Sequence, residues 1–442
     1  MHRRDFTAIL AAAAAGALVP RQMVAALSTA TTPKVNGERL NAHLTAIGEF
    51  GKNPQGGVTR LAYGEPDLAA RAYATQLMRE AKLTVVVDDA GNISGRRAGS
   101  DGTAKPILFG SHVDSVPEGG NYDGNVGVLG AIEVAQTLAE QGVVTRHPLE
   151  VVIWQNEEGG TWGSHLVTAA VTPAELSTVA RSGKSIRDGI VYLGGNPDQL
   201  ARARRSKGEV HGYLELHIEQ GGNLDRQKLD IGIVEGIVGL REWDVTIEGF
   251  ANHAGTTPMN ERRDAMLAAA RFVEAADRIV RAEPGRQVGT VGRIQAFPGA
   301  PNVVPGRVTC TLELRDLDDA KIQRLYETIR GEAERIGRLN GTSFAFHEFV
   351  THESALCDPR VRAIIGASAK ELGFTTMSLP SGAGHDAQNM ARICPMGMIF
   401  IPSVGGISHA PKEFSRPQDV TNGANVLLQA LLKLDAASFG AG

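Results

Sequence analysis

Four strand-like runs in this chain each end in a cluster of glycine with polar or ionisable residues, and that pattern limits what it can fold into. Residues 105–110 run into Gly110-Ser111-His112-Val113-Asp114, and 149–154 run into Asn156-Glu157-Glu158-Gly159-Gly160. Residues 214–218 alternate, so that Glu215, His217 and Glu219 share one face, and end in Gln220-Gly221-Gly222, and 397–401 precede Gly405-Gly406-Ile407-Ser408-His409. A fifth cluster, Gly120-Asn121-Tyr122-Asp123-Gly124, precedes a stretch (126–141) with apolar residues at Val128, Ile132, Ala135 and Leu138, which is helical spacing. Strand, helix, strand in this order predicts an α/β domain with a parallel sheet covered by helices. Ligands of such sheets bind outside the carboxyl ends of the strands, which is where the clusters fall.

The middle of the chain follows another rhythm. Residues 242–248 alternate, with Trp243, Val245 and Ile247 on one face; 262–281 read as a helix, 287–294 and 308–315 as strands, 320–339 as a helix and 342–348 as a strand. The order β-α-β-β-α-β is that of a ferredoxin-like unit, so a smaller α+β domain is expected as an insertion in the α/β domain. The expected division is a signal over 1–30, a catalytic domain made of two segments, 31–236 and 351–442, and an inserted domain over 237–350 between them.

The first thirty residues read as a leader. Met1-His2-Arg3-Arg4-Asp5-Phe6 opens a basic start, an alanine-rich run reaches Val19, Pro20 ends it, and small residues follow at Ser28, Thr29 and Ala30. The Arg-Arg-x-Phe start resembles a twin-arginine signal, which predicts export to the periplasm and a mature start near Thr31. The apolar run, about 14 residues, is shorter than the roughly 20 a spanning helix needs. Composition excludes other classes. A net charge of −4 leaves no electrostatic footprint for nucleic acid, and three dispersed cysteines (Cys310, Cys357, Cys394) form no zinc knuckle.

Converging acids and histidines at buried strand ends are costly unless they hold metal or form a dense hydrogen-bond network. A two-metal centre needs a carboxylate able to bridge ions about 3.5–4 Å apart, with imidazoles and further carboxylates completing each shell. A neighbouring acid should fix the tautomer of a ligating histidine, which suits Asp114, two residues after His112. A free carboxylate should take the proton of the attacking water, which suits Glu157, beside the candidate ligand Glu158.

The motifs G-S-H112-x-D114-S-V, G-x-Y-D123-G, N-E157-E158-G, H217-I-E-Q220-G, N-H253-A-G-T-T-P-M, S-G-A-G-H385-D386-A and G-I-S-H409-x-P resemble those of the hydantoinase/carbamoylase amidases. That group includes N-carbamoyl-L-amino-acid hydrolases, allantoate amidohydrolases and β-ureidopropionases, within the aminoacylase-like di-metal peptidase superfamily. The resemblance implies a mixed-sheet, di-zinc peptidase-like catalytic domain with an inserted ferredoxin-like lid and dimerisation domain. It implies two divalent ions per subunit, zinc first, with manganese or cobalt also suited. Asp123 would bridge them, His112 and His217 completing one site, Glu158 and His409 the other. Glu157 would be the general acid/base, with Asp114 also in the catalytic group. His253 would reach across a homodimer interface to stabilise the oxyanion and contact substrate. Asn302 and Arg315 would hold the substrate carboxylate, and Gln220 would touch substrate near the metals.

The residues alone support Arg315 in part. Val308, Cys310, Leu312 and Leu314 form the apolar face of its strand, so Arg315 points to the open face, where a guanidinium can bind a carboxylate bidentately or pair with Asp316 or Asp318. His385 and Asp386 belong near the site by resemblance, without an assigned step. One departure stands out: the family commonly continues Glu-Glu-Gly with Ser-Arg-Phe, whereas here Gly160-Thr161-Trp162 follows, beside the base. The expected activity is hydrolysis of a C–N bond in an N-carbamoyl-L-amino acid or related ureido acid by water held at the two ions. The alternatives are an N-acyl-amino-acid hydrolase or dipeptidase with the same centre, and an exported, non-catalytic binder of small acids.

Overall fold

A computed structural model describes residues 33–439; the expected leader, 1–30, lies outside them. Strands are numbered β1–β16 in chain order. The main sheet has nine: β1 (Thr84–Val87), β2 (Ile93–Arg97), β3 (Ile107–His112), β4 (Leu149–Trp154), β5 (Gly212–Ile218), β6 (Ile231–Ile237), β14 (Ala355–Leu356), β15 (Thr376–Ser381) and β16 (Met396–Ile401). Their order is β1-β2-β4-β3-β5-β16-β6-β14, with β15 also pairing to β6. The centre, β4-β3-β5-β16, is parallel. It is flanked by antiparallel pairs, β2 on β4 and β6 on β16, so the sheet is mixed.

The four central strands are buried along their whole length, which explains why β3, β4 and β16 read as largely apolar runs, whereas β5 alternates and buries Glu215 and His217 on one face. Helix α1 (Asn125–Glu140) lies on this sheet. Gly127 lets it do so closely, because a Cβ there would come within 2.4 Å of the Leu216 carbonyl oxygen. The parallel arrangement points the carboxyl ends of β3, β4, β5 and β16 the same way.

A second, five-stranded sheet comes from the middle of the chain: β7 (Gly239–Glu248), β9 (Val288–Thr290), β10 (Ile294–Phe297), β12 (Arg307–Asp316) and β13 (Ser343–His352). Its order is β10-β12-β7-β13, all antiparallel, with β9 also on β12. Helices α2 (Ala265–Ala282) and α3 (Asp319–Asn340) cover one face. Each starts on an aspartate, Asp264 or Asp318, whose carboxylate accepts from two first-turn amides. Alternation along β12 buries Val308, Cys310, Leu312 and Leu314 against them, and Trp243 of β7 stacks on Tyr326 with ring centroids 4.4 Å apart. The single strand expected over 287–294 is corrected to two short ones. Around Arg293 the chain leaves the ladder, exchanging bonds with the Thr311 backbone and hydroxyl before rejoining as β10. The helix expected from residue 262 starts later, because Asp264 caps it. A two-stranded ribbon pairs β8 (Asn252–His253), which follows β7, with β11 (Val303–Val304), which precedes β12.

Candidate metal centre

The carboxyl ends of the central strands deliver the ligand candidates. His112 ends β3, His217 lies near the end of β5, Glu158 follows β4, and His409 follows β16; Asp123 comes from the loop before α1. The Asp123 carboxylate lies between two sets of donors. Its Oδ1 is 3.1 Å from His217 Nε2 and 3.4 Å from His112 Nε2, and its Oδ2 is 3.3 Å from His409 Nε2. Glu158 Oε1 sits 3.7 Å from the same His409 nitrogen. Two triads, His112/Asp123/His217 and Asp123/Glu158/His409, each gather their donor atoms within 4.8 Å of one another. Buried His112 Nε2, His217 Nε2 and Glu158 Oε1 find no hydrogen-bond partner. Orphaned donor atoms of these types, converging from two sides on one carboxylate, fit a pair of divalent ions.

Each imidazole presents Nε2 because the other nitrogen is tied down. His112 Nδ1 donates to the Asp114 carbonyl oxygen at 3.0 Å, and His217 Nδ1 to that of Ile218 at 2.9 Å. Asp114 acts on His112 through its backbone as well as its carboxylate. Its backbone oxygen accepts from His112 Nδ1, its carboxylate stands 3.6 Å from the same nitrogen, and that carboxylate also accepts from the amides of Glu157 and Glu158 at 3.3 and 3.2 Å. Asp114 thus orients the loop that carries base and ligand. Gly124 makes the approach of Asp123 to His112 feasible: its φ is +65°, and a Cβ there would fall 2.5 Å from the imidazole ring. Asn156, Gln220 and His409 also hold left-handed backbone (φ 50°, 57° and 53°), strain of about 1–2 kcal/mol each that collects at this one site.

Glu157 is 8% exposed, with Oε2 3.7 Å from His112 Nε2. Burial raises its carboxyl well above the ordinary range against the pull of His112, and Glu158, Asp386 and Asp114 add to the rise. Burial and Asp123 push Glu158 up to about 7. Burial opposes the charged form of His112, yet Glu157, Asp114 and Asp123 carry it well above its usual value. The hydrogen bond to Asp123 leads in raising His409 to about 9.

Gln220 donates its side-chain amide to Asp123 Oδ2 at 2.6 Å and lines a cleft of about 420 Å³ together with His409, Ser408, Gly382 and Ala383. Arg315 comes to the edge of this cleft, its Nη1 donating to the Gly382 carbonyl at 2.8 Å. Its ion-pair partner is Glu313, through Nε and Nη2 at 2.8 and 3.1 Å, and neither Asp316 nor Asp318; Asp316 pairs with Lys321. His253 and Asn302 meet on the β8–β11 ribbon, where the Asn302 carbonyl accepts from the Ala254 amide. His253 is exposed, and its Nδ1 accepts from the amides of Gly255 and Thr256, which leaves the proton on Nε2.

Several residues lacked a role in the sequence. Glu215, facing the same way as His217, accepts from Ser111 Oγ, Tyr213 Oη and the Ala387 amide. It gathers with His217 and His385, but its oxygens are already engaged. His385 stands edge-on to His217 at 4.4 Å and bonds Ser381 Oγ; burial and His217 hold it well below its usual value, hence neutral. Asp386 binds Ser164 Oγ at 2.5 Å. Glu219, expected among the polar clusters, instead caps the turn after it, accepting from Asn223 and Leu224.

Two donor triads around one shared aspartate, with a buried carboxylate alongside, define a metal-dependent hydrolase. The chain belongs to the peptidase family M20/M25/M40, whose model matches residues 108–433. Among its relatives, an N-carbamoyl-L-amino acid amidohydrolase of Geobacillus stearothermophilus is 42% identical over 90% of this chain and 99% of its own length. A ureidoglycolate hydrolase of Arabidopsis thaliana is 35% identical over 92% of this chain and 88% of its own. A solved hydantoinase/carbamoylase family amidase from Burkholderia multivorans superposes with a TM-score of 0.84 at 37% identity, covering 92% of this chain and all of that one.

Proposed function

We propose that this protein hydrolyses the C–N bond of an N-carbamoyl-L-amino acid or a closely related ureido acid. The observation that carries the reading is the Asp123 carboxylate held between His112/His217 and Glu158/His409; the named activities of its relatives narrow the bond type. His112, Asp123 and His217 would hold one ion and Asp123, Glu158 and His409 the other. The neutral nitrogen and carboxylate donors suit zinc, and also manganese or cobalt. When bound, such ions polarise a carbonyl oxygen and acidify water.

Glu157 takes a proton from the attacking water and delivers it to the leaving nitrogen, a task that fits a buried carboxyl with raised proton affinity. Gln220 faces the cleft beside Asp123 and orients the ureido group. Arg315 and Asn302 bind the substrate carboxylate, which must share or displace Glu313 from the guanidinium. His253, with its proton on Nε2, is in the tautomer that donates to an oxyanion. Its exposure, next to Phe250 at 60% and Met259 at 76%, supports a homodimer in which each subunit supplies His253 to its neighbour. In this reading the second sheet with its helices is the lid and dimerisation domain, inserted between the two catalytic segments. Export rests on the N-terminal Arg3-Arg4-Asp5-Phe6 and the apolar run after it, and cell fractionation tests it.

The activity test is ammonia and amine release from N-carbamoyl amino acids, allantoate, β-ureidopropionate, N-acetyl amino acids and dipeptides. The enzyme is stripped, then given zinc, manganese or cobalt, with Glu157→Gln as control. Metal-dependent ammonia release that disappears in the control supports the proposal. Amine release without ammonia assigns an acylase or dipeptidase instead.

A further inference from the structure

Glu413 lies four residues beyond His409, is 5% exposed, and has no place in the chemistry above. Its Oε1 accepts from the backbone amides of Tyr122 and Asp123 at 2.9 and 3.0 Å. Its Oε2 accepts from Ser408 Oγ at 2.8 Å and from the His409 amide at 3.3 Å. One carboxylate therefore joins two segments separated by about 290 residues, each carrying a ligand candidate. Three of the four partners are backbone amides, which can only donate, and they fall on both oxygens, so each oxygen serves as an acceptor. The opposing loop is cut to fit: a Cβ on Gly120 would fall 2.2 Å from Glu413 Oε1, so a glycine is required where the side chain enters.

We propose that Glu413 is a positioning residue that sets the spacing between Asp123 and His409, and so governs occupancy of the ion held by Asp123, Glu158 and His409. The inference rests on the di-metal reading. The other set is less exposed to its loss, because His112 and His217 are oriented by the carbonyls of Asp114 and Ile218. A glutamine at 413 keeps the shape but offers one carbonyl oxygen. Its NH₂ then faces the Tyr122 and Asp123 amides, donor against donor, or, turned round, meets the His409 amide in the same way, although Ser408 Oγ can accept from it. The two loops are pushed apart on that side, and the shared carboxylate and His409 no longer converge.

The test compares wild type, Glu413→Gln, Glu413→Asp and Gly120→Ala, each stripped and titrated with Co²⁺. Visible absorption follows binding, metal analysis gives the stoichiometry, and thermal melting of the stripped proteins controls for folding. The wild type is expected to bind two equivalents. Glu413→Gln and Gly120→Ala should bind the first nearly as well and the second about tenfold to a hundredfold more weakly. Turnover in both should follow second-ion occupancy and recover as Co²⁺ is raised. Glu413→Asp, which keeps both accepting oxygens, should recover part of the loss. Glu413→Gln binding two equivalents at wild-type affinity would overturn the inference. So would equal loss of both ions together with a lowered melting temperature, which marks a general folding defect. A wild type that binds no cobalt would overturn the di-metal reading itself.

Discussion

Metal uptake at this centre must displace protons, and the structure indicates from where. The hydrogen bond to Asp123 and the charges of Glu158 and Asp123 raise the His409 imidazole to about 9, against the effect of burial. A ligating imidazole must be neutral, so at neutral pH a proton competes with the ion at this position. A group titrating about two units above the ambient pH weakens apparent affinity by about a hundredfold; His409 is 48% exposed, and solvent screening reduces this to about ten- to a hundredfold. The ion binds only the deprotonated form, which grows with pH until about 9. Affinity therefore rises with pH from 7 to about 9 and then levels off. Below about 7 the carboxyl of Glu158 also protonates, and the slope steepens from one proton per ion towards two. His112 and His217 are raised as well, so the other site follows the same sign. Chelator competition for Zn²⁺ or Co²⁺ between roughly pH 6 and 9, with proton release read by an indicator in weak buffer, measures both quantities. An affinity flat across that window, with no protons released, would refute the reasoning, because the imidazoles would then be neutral before the metal arrives.

Three further outcomes are expected. Glu157→Gln should lower kcat by about 10²- to 10⁴-fold while metal analysis still finds both ions, because Glu157 belongs to neither donor triad. Gly124→Ala should weaken the ion held by His112, since its Cβ would fall 2.5 Å from that ring at a φ of +65°; cobalt titration reads the loss. Trp243→Ala should destabilise the protein by about 3–5 kcal/mol in denaturant unfolding, since the indole is 2% exposed and stacked on Tyr326.

How much of this was legible in the sequence differs from layer to layer. The central strands were readable because β3, β4 and β16, buried on both faces, appear as largely apolar runs, and β5 as an alternating one. Their ends were readable because buried histidines and acids are too costly to be incidental. The edges of the main sheet were not. β1 and β2 are short and only partly apolar, and β15 pairs with β6 across an interval of more than a hundred residues. In the second sheet the excursion around Arg293 depends on a bond to Thr311, which no local pattern records. At the site, residue types were readable and their partners were not. Nothing in His-x-Asp tells whether the carboxylate of Asp114 or its carbonyl holds His112, and the ion pair of Arg315 with Glu313 depends on the pleat bringing i and i−2 to one face. Glu413 acts on backbone amides, so its role had no signature in side-chain spacing at all.

In sequence the ligand candidates lie on both sides of the second sheet: His217 precedes β7 and His409 follows β13 by a wide margin. An ion pair shared through Asp123 would then act as a non-covalent staple, closing a loop that contains an entire folded layer. Closing a loop of that length costs chain entropy that grows only slowly with its size, while ion binding to the folded state alone adds stability that grows with ion concentration. Chelation should therefore loosen the way the two halves of the main sheet are joined, and proteolysis of the stripped protein should begin in the segment around His409 before it reaches the core of either layer.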